Sequence, residues 1–181
     1  MYIIPVIREV IHKVQHKHEE IDAVAVTYGP GLIGSLLVGV ETAKTLSYIF
    51  EKPIIPVNHL FGHIYANWIN QERKIEFPAI ALVVSGGHTD LVLMKDHGNV
   101  KWLGGSRDDA AGEALDKIGR LLGLPYPGGP AIEKKALHGD PKAYNFPRPI
   151  MHEENFDFSF SGLKTAVMRE VKVVKQLNSE T

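Results

Sequence analysis

A chain of 181 residues is long enough for one domain with a real core or for two small lobes. Hydrophobic residues at 44% and charged ones at 23% read as a soluble globular protein, and a net charge of -1 supplies no bulk field for nucleic acid. Cysteine is absent, which excludes disulfides and thiolate metal sites and suits a cytoplasmic protein.

The start, Met1 to Arg8, lacks the basic region of a signal peptide. Ile3, Ile7, Val10, Ile11 and Val14 recur at helical spacing, with Pro5 in the first turn, predicting a helix to about Lys17. Ile21 to Tyr28 reads as a short strand, mostly apolar, of the kind buried in a parallel sheet. Gly29-Pro30-Gly31 turns the chain into a predicted helix from Gly34 to Phe50. The richest apolar run, Leu32 to Val40, is broken by Gly34 and Gly39, so no membrane span is expected. A strand at Ile54 to Val57 and a helix from His59 to Asn70 complete an alternation that points to an α/β unit.

Near Phe77-Pro78 the pattern changes, which puts a boundary close to residue 75. Ala79 to Val84 and Asp90 to Met94 are predicted strands joined so tightly that they must run antiparallel, with a third strand at Val100 to Leu103. Helices follow at Asp108 to Leu122, Gly129 to Leu137, and Ser161 to about Val174, the last with Ser161 as its expected N-cap. Lys164, Arg169, Lys172 and Lys175 form the candidate patch for RNA, which a solvated helix face explains equally well.

Four stretches carry residues with chemistry. His59 and His63 stand four apart on a predicted helix, where both imidazoles can reach one metal ion; two surface histidines are the plainer alternative. Leu60 follows the first histidine where a zincin protease needs glutamate, which counts against a metallopeptidase. Val84-Ser85-Gly86-Gly87-His88-Thr89 offers backbone amides and hydroxyls to an anion, or is simply a tight Gly-Gly hairpin turn. In the stretch Asp108 to Lys117, the leading acids suit a helix amino terminus by its dipole, while Glu113 and Asp116 share a face that can meet a ribose or a metal. The Gly128-Gly129 turn opens another helix start that can contact a nucleotide, or is a loop. Gly31, Gly34 and Gly39 let a second helix approach closely, for core packing or for a subunit interface.

Five segments together, TYGPGLIGSLLVG (27–39), NHLFGH (58–63), VSGGHTDLV (84–92), DDAAGEALDKIGRLLGLPYPGGP (108–130) and FSFSGLKTA (158–166), resemble the TsaD family, once called glycoprotease-like. The resemblance implies the actin-like (sugar kinase/Hsp70/actin) two-lobe α/β fold. Residues 1–74 are then the remainder of the first lobe, and 75–181 the start of a second lobe with a β-hairpin and a helical insertion. It also implies transfer of a threonylcarbamoyl group from threonylcarbamoyl-AMP to N6 of the tRNA adenosine beside the anticodon.

By the same resemblance His59 and His63 hold one divalent metal ion, iron or zinc. Val84, Ser85, Gly86, Gly87 and His88 hold the phosphates of threonylcarbamoyl-AMP or of ATP or AMP, and Asp116 and Gly129 bind the ribose and base side. Implied partners are tRNA, a smaller TsaB-like subunit on the Gly29–Phe50 helical face, and a TsaE-like ATPase, with a homodimer where the subunit is absent. A non-catalytic dimerisation partner is the remaining alternative, opposed by the intact Ser85 to Thr89 loop. The family's amino-terminal Gly-Ile-Glu-Thr-Ser-like loop has no counterpart here, nor do its later glycine-rich loop and metal-binding aspartate. Phe61 stands where many relatives have glutamate. The chain is therefore expected to be incomplete at both ends and inactive by itself.

Overall fold

The computed structural model describes residues 3–13, 20–69 and 74–177, which form two compact units, Met1–Arg73 and Lys74–Thr181. In the first unit, helix α1 (Ile3–Lys13) precedes strand β1 (Val24–Gly29), helix α2 (Ile33–Phe50), strand β2 (Ile54–Asn58) and helix α3 (His59–Tyr65). Strands β1 and β2 pair in parallel, Val24 against Ile54 through Thr27 against Val57, with α2 as the crossover that parallel pairing demands. α2 stops where Glu51 enters the left-handed region at φ 52°, and the Ser47 carbonyl accepts the Glu51 and Lys52 amides. Among the described residues of this unit, Ala43 and Ile64 are the buried apolar ones. α1 buries none of its residues.

Two predicted helices differ at their ends. The extension of the first helix to Lys17 lies outside the described residues. The helix expected to reach Asn70 stops at Tyr65, tightens into a 3-10 turn at Ala66–Trp68, and leaves Ile69 extended; Asn70 is outside the described residues. No helix among the described residues is long and apolar enough to cross a membrane.

In the second unit, strands β3 (Ala79–Val84), β4 (Thr89–Asp96) and β5 (Asn99–Gly105) form an antiparallel sheet in sequence order. Helices α4 (Ala111–Leu121), α5 (Gly128–Ala136) and α6 (Ser161–Leu177) follow. The core gathers Val83, Val92 and Met94 from the sheet with Ala110, Ala114, Ile118 and Val167 from the helical side. Ala110, Ala114 and Ile118 follow one another at four-residue spacing along a single face of α4, which is why that face is the buried one. Leu115, Leu121 and Tyr144 line one side of an apolar cavity of about 740 Å³, and Leu163, Val167 and Val171 of α6 line another.

Candidate functional site

The site residues fall into two groups, one in each unit, and each group is described by itself. In the first unit, β2 runs straight into α3. Asn58 ends the strand beside Gly29 of β1 and caps the helix, its side-chain oxygen accepting the Leu60 amide at 2.9 Å and the Phe61 amide at 3.4 Å. His59 and His63 therefore sit at the carboxyl ends of parallel strands, where open α/β sheets collect their ligands.

Their Nε2 atoms stand 3.0 Å apart and their ring centroids 4.4 Å apart. Two imidazole nitrogens at about 2.0–2.1 Å from one metal ion lie about 2.9 Å apart at a right angle and about 3.3 Å apart at the tetrahedral angle. The pair thus fits two adjacent positions around a single ion. No cluster of three or more His, Cys, Asp or Glu forms among the described residues.

In the second unit, Ser85 to His88 connects β3 to β4, with Gly86 and Gly87 at its tip. Val84 pairs with Thr89, and the Ser85 amide donates to the His88 carbonyl at 2.8 Å. The Ser85 hydroxyl oxygen accepts the His88 amide at 3.0 Å and the Gly87 amide at 3.3 Å, which folds the loop around its own serine. An added Cβ at Gly86 or Gly87 would meet no atom within 4 Å, so the outer side of the loop is open.

The inner side rests on the start of α4. The Gly112 amide donates to the Ser85 carbonyl at 3.2 Å, and a Cβ on Gly112 would lie 2.5 Å from that oxygen. Only glycine allows the helix to come this close. Thr89, 4% exposed, accepts the Ala111 amide at 2.8 Å on its hydroxyl, taking the cap that Ala110 cannot provide.

Asp116 lies one turn further along α4. One of its carboxylate oxygens accepts the Gly128 amide at 2.7 Å and so caps α5, whose own N-cap residue is Pro127. Gly128 packs so tightly that a Cβ would lie 2.5 Å from the Leu115 carbonyl, whereas a Cβ on Gly129 would make only ordinary contact, 3.7 Å from the Leu115 side chain. The structure thus strings Ser85 to His88, Asp116 and Gly129 along α4. It gives Asp116 a packing duty that the sequence reading had not assigned.

Asp108 and Asp109 correct two expectations. They do not sit in the first turn of α4, which begins at Ala111. The Asp108 carboxylate instead reaches α6, accepting the Phe160 amide at 2.7 Å, the Ser161 amide at 3.2 Å, and the Ser159 and Ser161 hydroxyls at 2.6 and 2.7 Å. Ser161 is therefore the first residue of the helix and a donor to its cap; the Phe160 carbonyl accepts the Lys164 amide at 3.1 Å, and the capping side chain comes from Asp108.

Partial desolvation pulls the Asp108 carboxyl upward, but the hydrogen bonds from Ser159, Phe160 and Ser161 outweigh it and hold the group at about 2. Its folded pKa lies below the unfolded value of about 3.9, so this brace stabilises the fold above that pH and is lost only as pH falls through about 2.

Asp109 accepts Lys164 at 2.9 Å and Lys117 at 3.0 Å, and these two ammonium groups, Lys164 first, lower its pKa. Lys117 also pairs with Glu113 at 2.7 Å. Lys164 is thus committed within the unit, which takes one member from the candidate RNA patch. Arg169 and Lys172 remain on an exposed helix face, and the Lys175 side chain is outside the described residues.

A sequence profile of the TsaD family, described as tRNA N6-adenosine threonylcarbamoyltransferase, matches residues 2–180. Relatives of that name from Staphylococcus carnosus, Moorella thermoacetica and Symbiobacterium thermophilum are 54%, 53% and 56% identical over 95%, 98% and 98% of this chain. The chain spans about half the length of these curated relatives, 49%, 52% and 52% respectively. Among solved structures, YeaZ from Pseudomonas aeruginosa aligns over 55% of this chain and 46% of its own, at 15% identity and a TM-score of 0.41. A family profile matched over residues 2–180 and identity above one half over nearly the whole chain lead to one conclusion: the chain belongs to the TsaD family, whose fold is of the actin-like α/β class.

Proposed function

We propose that the full-length protein carrying this chain transfers a threonylcarbamoyl group from threonylcarbamoyl-AMP to N6 of the tRNA adenosine beside the anticodon, in the cytoplasm. The observation that carries this reading is 53–56% identity, over nearly the whole chain, to relatives named for that transfer. In the reaction the adenosine amine attacks the carbamoyl carbon, the bond from that carbon to the AMP phosphate oxygen breaks, and the amine gives up a proton.

His59 and His63 are the residues that would hold a metal ion, iron or zinc; their convergent nitrogens support this. When bound, such an ion supplies Lewis-acid charge that steadies the mixed anhydride. Ser85 to His88, next to Val84, would receive the phosphates. The open outer side at Gly86 and Gly87 supports that role, as do the Gly87 and His88 amides and the Ser85 hydroxyl, which can turn from one another to an anion. Asp116 has one carboxylate oxygen committed to Gly128 and would offer the other to a ribose hydroxyl, with Gly129 beside it.

The test is to incubate purified full-length protein with threonylcarbamoyl-AMP and unmodified tRNA, and to digest the tRNA for nucleoside mass spectrometry. Threonylcarbamoyladenosine is the expected product. Its absence, with a metal-loaded enzyme and its partner subunits present, rejects the assignment.

For partners we propose tRNA, a smaller TsaB-like subunit on the face of α2, a TsaE-like ATPase, and a homodimer in the subunit's absence. Leu32, Ile33 and Leu37 are 81%, 72% and 53% exposed there, and Gly34 has nothing within 4 Å of an added Cβ. Gly39, by contrast, turns inward, its added Cβ 3.8 Å from Val26 Cγ2 of β1, so it serves the unit's own packing. Gly34→Leu is expected to separate the subunits in sedimentation with unchanged circular dichroism. A complex that survives it places the interface elsewhere.

A further inference from the structure

The residues from Gly105 to Gly112 are tied on two sides. Towards the Ser85–His88 loop, the Ser106 amide donates to the Thr89 carbonyl at 2.9 Å, the Ala111 amide to the Thr89 hydroxyl at 2.8 Å, and the Gly112 amide to the Ser85 carbonyl at 3.2 Å. Towards the start of α6, the Arg107 amide donates to the Phe158 carbonyl and the Phe158 amide to the Gly105 carbonyl, both at 3.0 Å. The Arg107 guanidinium holds Asp157 at 2.8 Å, and Asp109 holds Lys164 at 2.9 Å. Four of the bonds between the two sides converge on one side chain, the Asp108 carboxylate, from a segment some fifty residues away.

We propose that Asp108 is a positioning residue for nucleotide binding: by fixing Phe158–Ser161 against residues 105–112, it sets the height of the Ser85–His88 loop on the start of α4. The inference rests on the proposed role of that loop and adds a residue that touches neither nucleotide nor metal. Its physical basis is rigidity. Ser85 and His88 are half-buried and Gly86 and Gly87 are exposed; the Ser85 carbonyl accepts the Gly112 amide, and Thr89, the residue after the loop, is held by the Ser106 and Ala111 amides. A shift of residues 106–112 therefore acts on the loop through the Ser85 carbonyl at one end and through Thr89 at the other. Asp108 is negative and accepts four hydrogen bonds, so no water molecule can replace it with equal strength.

The experiment uses the full-length enzyme with Asp108→Ala, Asp108→Asn and Ser85→Ala, and two readouts. Hydrogen exchange reports the Gly87 and His88 amides in the absence of ligand, and calorimetry reports the Kd for ATP as the probe nucleotide. Asp108→Ala is expected to speed exchange at both amides and to raise the Kd about tenfold, the usual size of coupling between linked sites. Asp108→Asn keeps an oxygen for the Phe160 and Ser161 amides, and should restore most of the protection. Asp108→Ala combined with Ser85→Ala should bind no worse than the weaker single variant, because both act through one loop.

Unchanged exchange at Gly87 and His88 in Asp108→Ala overturns the positioning role, as does an additive double variant. Faster exchange with an unchanged Kd in all variants instead overturns the nucleotide role of the loop, and with it this proposal. The two failures are thus told apart by which readout stays still.

Discussion

Replacing His59 and His63 together by alanine is expected to strip the full-length protein of its metal, from about one equivalent to none. If the two imidazoles hold the ion as proposed, their loss removes two adjacent ligands from it. The substitution leaves the local fold alone: Asn58, not either histidine, caps α3, and Ile64 is the buried residue of that helix. Elemental analysis of the purified variant measures the outcome, with circular dichroism as the control. Metal content equal to wild type in a folded double variant would falsify the assignment of these two residues.

Two glycines in the second unit should separate binding from packing. Gly87→Val adds its side chain to open space, so thermal stability should hold while the bulk blocks an approaching phosphate and nucleotide binding is abolished. Gly112→Ala adds one methyl group, 2.5 Å from the Ser85 carbonyl oxygen and 2.9 Å from the Gly86 nitrogen. Neither of those is a flexible side-chain end, so the helix and the loop must part, at a cost of about 1–3 kcal/mol. Melting temperature and nucleotide Kd, measured on both variants of the full-length enzyme, check the contrast. Wild-type affinity in Gly87→Val rejects the loop as a phosphate site, and an undiminished melting temperature in Gly112→Ala rejects the close approach.

The elements were legible where a short segment decides its own state. Ala79 to Val84 was readable as a strand because a short apolar run with β-branched Ile80, Val83 and Val84, ended by a glycine pair, leaves little choice. The His59 and His63 pair was readable because helical spacing alone brings residues four apart onto one face. What the sequence did not disclose is which capping group serves which helix. A carboxylate three residues ahead of a helix suits that helix's dipole, and a serine at a helix start suits its own cap, so Asp108 and Ser161 each have a local explanation that satisfies local rules. In the structure they satisfy each other across about fifty residues, and no nearest-neighbour signal encodes that. Asp116 hid its second duty in the same way. Its Gly128 partner lies beyond the end of α4, and the close passage of Gly119 and Gly128, 2.8 Å from an added Cβ to the next Cα, becomes visible only in three dimensions.

The chain leaves the sheet at Ser106 and returns beside it at Phe158, where the two residues form a parallel bridge. Everything between, α4, α5 and the largely exposed stretch from Leu137 to Phe156, is an excursion whose two ends meet at one point. Loop-closure entropy grows only with the logarithm of length, so ten further residues in an excursion of about fifty cost only about 0.2 kcal/mol. Evolution can therefore lengthen or shorten the exposed stretch from His138 to Lys142 almost without thermodynamic penalty, while the residues at the neck, Gly104, Gly105, Asp108 and Asp157, stay under steric and hydrogen-bonding constraint. A fluorescent tag or an affinity handle grafted into that stretch would leave the neck untouched, which makes it the natural place to label the molecule.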